Sequence, residues 1–71
     1  MKIRVPLPTK QENTSHHQET IVMLFILTEL NSDGNFDKGD AYVANVCFQG
    51  QRFTAQRTID RLLDKEILLP V

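Results

Sequence analysis

Seven consecutive apolar residues, Ile21 to Leu27 (IVMLFIL), constrain this chain more than any other feature in it. The run is far short of the roughly 18 residues that would cross a membrane, so protein must cover it. Periodicity alone does not separate a helix from a buried strand over so short a stretch. The flanks favour helix. Ser15 and Gln18 stand in the S-x-x-Q relation of a capping box, helix-compatible residues continue through Thr28-Glu29-Leu30, and Asn31-Ser32-Asp33-Gly34 supplies a stop. These signals predict a first helix over 15–31. On a helix, seven apolar residues in a row occupy every side, which exceeds what an amphipathic helix needs against one core. The N-terminal arm or a second copy of the chain is expected to cover the excess.

Size sharpens that expectation. A chain of 71 residues and 8.2 kDa is one small domain. Surface scaling leaves roughly 4,500 Å² exposed out of roughly 12,000 Å² for the open chain, so only about 60% is buried and stability is marginal. Domains this small usually rely on disulfides, a metal or a partner. Cys47 is the lone cysteine, and Cys47, His16 and His17 fall one ligand short of a closed zinc site. Self-association through the first helix is the expected remedy, with no metal and no cofactor. At 41% hydrophobic and 24% charged the composition is that of a folded domain rather than a disordered tail. The start, MKIRVPLPTK, lacks a secretory apolar core, which places the expected protein in the cytoplasm without a membrane partner.

Residues 1–14 read as an extended basic arm ahead of a domain over 15–71. Lys2, Arg4 and Lys10 meet no acid in the first ten residues, Ile3, Val5 and Leu7 alternate with basic residues or proline, and Pro6 and Pro8 exclude helix. A short edge strand and a frayed terminus both fit. After the first helix, residues 31–40 (NSDGNFDKGD) form an acidic loop with Gly34 and Gly39 as turn residues. Asp40 is the expected N-cap of a short second helix from Ala41 to about Phe48, with Tyr42, Val43, Val46 and Cys47 at packing positions. Gln49-Gly50-Gln51 breaks it, and a third helix is expected from Phe53 or Thr54 to Lys65, with Glu66 to Val71 leaving as an extended tail.

The third helix has two distinct faces. With Ile59 set at zero and about 100° per residue, Ala55, Leu62 and Leu63 lie within about 60° of it, while Arg57, Arg61 and Thr54 fall at about 160° to 220°. One face is core. The other carries two arginines and a hydroxyl, with Asp60 and Asp64 within reach of ordinary surface pairs to Arg57 and Arg61.

The succession of long helix, acidic loop, short helix, Gly50-containing turn and FTAQRTIDRLLDKEIL resembles the recognition-helix region of winged helix-turn-helix DNA-binding domains, where a run like S-x-x-T-V-x-R-x-I-x-x-L-x-x-K-G-L-I recurs. Thr54, Ala55, Arg57, Ile59, Leu62, Lys65, Ile67 and Leu68 carry the match, and Val43-Ala44 stands where the second helix of the family often has Leu-Ala. The resemblance covers about residues 20–70. It implies a mainly α fold, a three-helix helix-turn-helix bundle with at most a short two-stranded sheet and a truncated wing. It also implies a sequence-specific DNA-binding transcriptional regulator, with double-stranded DNA as partner and the third helix in the major groove. Arg57 is then the candidate for a bidentate contact to guanine, and Gln56 pairs with adenine only if its side chain leaves the core edge. Arg52, Thr54 and Arg61 are candidate phosphate contacts.

Three features depart from the pattern. Glu66 stands where the family ends its helix with glycine, so a left-handed cap there is expected to be strained or missing. The chain ends at Val71, where a hairpin wing would begin. The turn before the third helix is about one residue longer than usual. Charge is segregated within a formal net charge of −1: the first ten residues carry +3, residues 51–65 carry +2 and residues 29–40 carry −3. If Ile3, Val5 and Leu7 pair with Ile67 to Leu69, Lys2 and Arg4 approach the third helix and substitute for the wing. The competing expectation is a protein-interaction adaptor or antirepressor on the same fold, which accommodates the acids beside Arg57 and the net charge.

Other motifs carry less. Asp33, Asn35 and Asp37 alternate as in a calcium loop, but glycine falls one place late and Ala44 occupies the position of the bidentate glutamate. His16 and His17 point about 100° apart on a helix, which disfavours chelation of one metal. Cys47, between Val46 and Phe48, reads as a small core residue. With neither a phosphate loop nor a triad-like arrangement, a non-enzymatic role is expected.

Overall fold

The computed structural model describes residues 2–71; Met1, the first residue of the arm, lies outside them. Ile3–Arg4 forms a short strand, β1, followed by a 3-10 turn at Gln11–Asn13 and the first helix, α1, at His17–Thr28. Then come β2 (Asn35–Phe36), α2 (Asp40–Cys47), α3 (Arg52–Asp64) and β3 (Leu69–Pro70). The three α-helices dominate the described residues, and the strands form one antiparallel sheet in the order β2-β1-β3.

The arm is the middle of that sheet. Ile3 faces Phe36 on one side and Pro70 on the other, Arg4 faces Asn35 and Leu69, and the Val71 N–H donates to the Lys2 carbonyl at 3.3 Å. Ile3 and Val5 are buried with Phe36 against Val22, Met23, Ile26, Val43, Ala44, Ala55, Ile59, Leu62, Ile67 and Leu68. The N-terminus is thus a strand, but a central one rather than the expected edge strand, because β2 and β3 both pair with it. The sheet has one strand more than expected, because Asn35–Phe36 leaves the acidic loop to pair with β1. Nothing local announces so short a strand; its partner creates it.

The apolar run is largely covered within the chain. Val22, Met23 and Ile26 are buried, and Phe25 packs edge-on against Phe36 (6.2 Å between ring centroids) and tilted against Tyr42 (5.7 Å). Tyr42 also donates its hydroxyl to Glu29 at 2.6 Å, closing the end of α1 onto α2. Leu24, 53% exposed, is the residue of the run left to solvent.

Two helix starts differ from expectation. The capping box of Ser15 and Gln18 does not form: His16 is the N-cap without a side-chain cap bond, and the Glu19 carboxylate accepts the Ser15 N–H at 3.4 Å. The reason is tertiary. Glu19 is fully buried and bound by Lys65 at 2.8 Å, which pins the first turn of α1 to the end of α3. Asp40 does not cap α2 either; Gly39 holds that position, and Asp40, inside the first turn, is drawn to Arg52 at 3.6 Å. In α2, Val43 and Ala44 are buried and Cys47 half-buried, whereas Val46, expected to pack, is 55% exposed. Burial pushes the Cys47 thiol pKa up.

α1 stops at Thr28, short of 31, where the Thr28 hydroxyl donates to the Phe25 carbonyl at 2.7 Å. Asn31 then organises the loop, its side-chain oxygen accepting from the N–H groups of Asp33 (2.9 Å) and Asn35 (3.0 Å). An Asn that satisfies loop amides in this way competes with helix continuation. No helix among the described residues is long and apolar enough to cross a membrane.

Candidate nucleic-acid interface

α2 and α3 meet across the turn Phe48–Gln51, which needs left-handed backbone at Gln49 (φ 54°) and Gly50 (φ 87°). The Ala44 carbonyl anchors it, accepting from Phe48 at 2.9 Å and Gly50 at 2.8 Å. Ala55, Thr58, Ile59 and Leu62 are buried beneath α3, and the Thr58 hydroxyl is satisfied by the Thr54 carbonyl at 2.8 Å. The expected core face is thus in place, and α3 cannot turn about its axis without exposing it.

What remains outward is Arg52, Phe53, Gln56, Arg57, Asp60 and Asp64, with Thr54 and Arg61 half-buried along one edge. Thr54, Arg57, Thr58 and Arg61 line a cleft of about 140 Å³ with Gln18 from the start of α1. Arg57 and Arg61 form no ion pair among the described residues, so the expected pairing with Asp60 and Asp64 does not occur. The Arg57 guanidinium instead lies over the Phe53 ring, 5.6 Å from its centroid. Cation–π contacts at exposed sites contribute about 0.5–1 kcal/mol, enough to bias the rotamer without fixing it.

The other predicted site residues are distributed unevenly. Arg52 begins α3 and is shared with Asp40, so its charge is partly spent within the chain. Gln56 is exposed, clear of the core. Lys2 and Arg4 are exposed, but the strand pairing does not carry Arg4 to α3: it lines a separate hollow of about 360 Å³ with Val5, Pro6, Leu7, Asp33 and Gly34. The pairing turns Arg4 toward the acidic loop because β2 occupies the sheet edge on that side.

Two residues of this region stand outside the expected site set. Gln18 joins the cleft only because α1 crosses α3. Phe53, 71% exposed, belongs to the outward strip, about 40° from Arg57 around the helix; the same wheel that separates core from polar face places it there. No group of three or more His, Cys, Asp or Glu suited to holding a metal is found among the described residues. Comparison with protein-family models, with curated proteins and with solved structures finds no match to this chain.

Proposed function

We propose that the chain is a non-enzymatic, sequence-specific DNA-binding transcriptional regulator of the cytoplasm, a minimal winged helix-turn-helix protein that reads duplex DNA with α3 as a homodimer. The observation that carries the reading is the first two turns of α3. Arg52 to Ile59 contains no acid, and Arg57, braced on Phe53, is left without a carboxylate partner on a helix whose opposite face is locked into the core. Such a helix enters a major groove with its N-terminal half while flanking groups hold phosphates. The strand β1, paired along β3, stands in for the return strand of a wing. Dimerisation draws support from Leu24, with half-buried Ile21 and Leu27 beside it, on the outer side of α1. Two such units would set their α3 helices about 34 Å apart on a palindromic site.

The test is binding to duplexes selected from a random pool, measured at several salt concentrations. Arg57→Ala is expected to lower discrimination between sequences by about 1–3 kcal/mol. Arg61→Ala or Lys2→Ala is expected to weaken all sequences alike and reduce the salt slope by about one. Binding that never exceeds the nonspecific level for any selected duplex sinks the reading. The exposed Val46 and Phe53 favour a second reading, an adaptor that docks on another protein through the α2–α3 face. That reading expects no selected duplex at all.

A further inference from the structure

We infer that Phe53 reads the 5-methyl group of a thymine lying next to the guanine contacted by Arg57. The inference rests on the DNA-binding reading above and adds to it a specificity-determining residue and a sequence element in the site.

Phe53 stands outside the hydrophobic core, with 71% of its surface exposed, on a helix whose other large apolar residues, Ile59 and Leu62, are fully buried and whose Leu63 packs at the core margin. Its ring therefore contributes little to holding the fold. It does have a place in the outward strip, in the first turn of α3 and on the same side as Arg57. The 5.6 Å between guanidinium and ring centroid joins the two side chains into one surface, an apolar plate with a cation beside it.

The major groove has one apolar group on its base edges, the thymine methyl, and its best partner for a guanidinium is the O6/N7 pair of guanine. A plate and a cation this close together fall on neighbouring base pairs, whose rise is about 3.4 Å, rather than on separated parts of a half-site. The complementary ligand is a duplex with thymine and guanine at adjacent positions. Around this pair α3 carries no acid before Asp60.

The experiment uses the full chain and the duplex enriched by selection, with each thymine replaced in turn by deoxyuridine, which removes only the methyl group. Burial of one such group corresponds to about fourfold in affinity. The expected result is a loss of about fourfold at one thymine per half-site, adjacent to the guanine whose recognition is lost in Arg57→Ala. Phe53→Ala should bind the thymine and deoxyuridine duplexes equally while keeping the guanine preference, and its unfolding midpoint should fall by no more than about 5 °C, since the ring is outside the core and the contact with Arg57 is the main one lost. Equal binding of every deoxyuridine duplex by the wild type overturns the inference, as does a methyl preference that survives in Phe53→Ala. An Arg57-dependent but methyl-insensitive site overturns this inference alone. Failure to enrich any duplex overturns the DNA reading itself and favours Phe53 as a protein-docking residue.

Discussion

Glu66 closes α3 with φ 59°, a left-handed backbone that glycine adopts freely and other residues adopt at a cost of about 1–2 kcal/mol. The cap expected to be strained or missing is present in full. The Glu66 N–H returns to the Leu63 carbonyl at 3.0 Å and the Ile67 N–H to the Leu62 carbonyl at 3.0 Å, the paired bonds of a Schellman motif. Ile67 and Leu62 are both fully buried, so their contact holds the turn against the preference of Glu66. The strain is local and removable. Glu66→Gly is expected to stabilise the domain by about 1 kcal/mol and raise its thermal midpoint by about 5 °C. Glu66→Ala keeps a Cβ at the same φ and should show no such gain. Differential scanning calorimetry on both variants checks the pair of outcomes.

At the scale of elements, the loop between α1 and α2 shows how one residue delivers a strand. Asn31 accepts two amides through its side chain, its own N–H reaches the Asn35 carbonyl at 2.8 Å, and its carbonyl accepts from Gly34 at 3.0 Å. Gly34, at φ 79°, makes the reversal. Together they bring Phe36 beside Ile3 on the neighbouring strand. Asn31→Ala leaves both side-chain-bound amides without their acceptor and is expected to cost about 1–2 kcal/mol. Hydrogen exchange should accelerate at Asp33 and Asn35, ahead of the core amides of α3. Composition marked this segment as a loop, and that was correct for most of it. The strand within it has two residues, too few for any periodicity, and exists because β1 supplies partners. The helices were legible for the opposite reason: the stripe of Ala55, Ile59 and Leu62 repeats at helical spacing, and burial follows that stripe. Helix ends were less legible than helix interiors, since side chains of α1 and α2 that looked like caps are engaged across the fold.

For the molecule as a whole, the first turn of α1 and the last residues of α3 are joined by a buried charge. Glu19 is fully buried and accepts from Lys65, which also reaches the Ser15 hydroxyl, while the second carboxylate oxygen lies 3.9 Å from His16 Nε2. Burial acts to raise the Glu19 pKa, but the Lys65 hydrogen bond, the Ser15 N–H and the Lys65 charge outweigh it and hold the carboxyl below its ordinary value of 4.5. A carboxyl depressed by folding stabilises the native state above its unfolded pKa, and that contribution is lost as pH falls through the lower folded value. Stability is therefore expected to be level in this respect above about pH 5 and to decline below about pH 4.5. Lys65→Ala leaves the carboxylate buried with weaker partners and is expected to cost about 3 kcal/mol at neutral pH. The acid-side decline should be smaller in that variant, because the interaction that depressed the Glu19 pKa is gone. Urea titrations between pH 3 and 7 measure both effects. The exposed area of 4387 Å² matches the roughly 4,500 Å² expected of a monomeric domain this size. The chain thus buries an ordinary share of its surface by itself, and the case for a dimer narrows from the whole apolar run to the strip around Leu24.

By itself the sequence determined three helices, the core face of α3 and the polar strip holding Arg57. Each follows from spacing and composition within a short window, where hydrophobic burial has a period that can be read. Only the tertiary structure decided which charges are consumed and which remain. Lys65 is taken by Glu19, 46 residues away in the chain, and Arg52 by Asp40, while Arg57 is left beside Phe53 and Arg4 is turned toward Asp33 and Gly34. Electrostatic partners depend on distance in space, and helical spacing carries no information about which residue another element brings within reach.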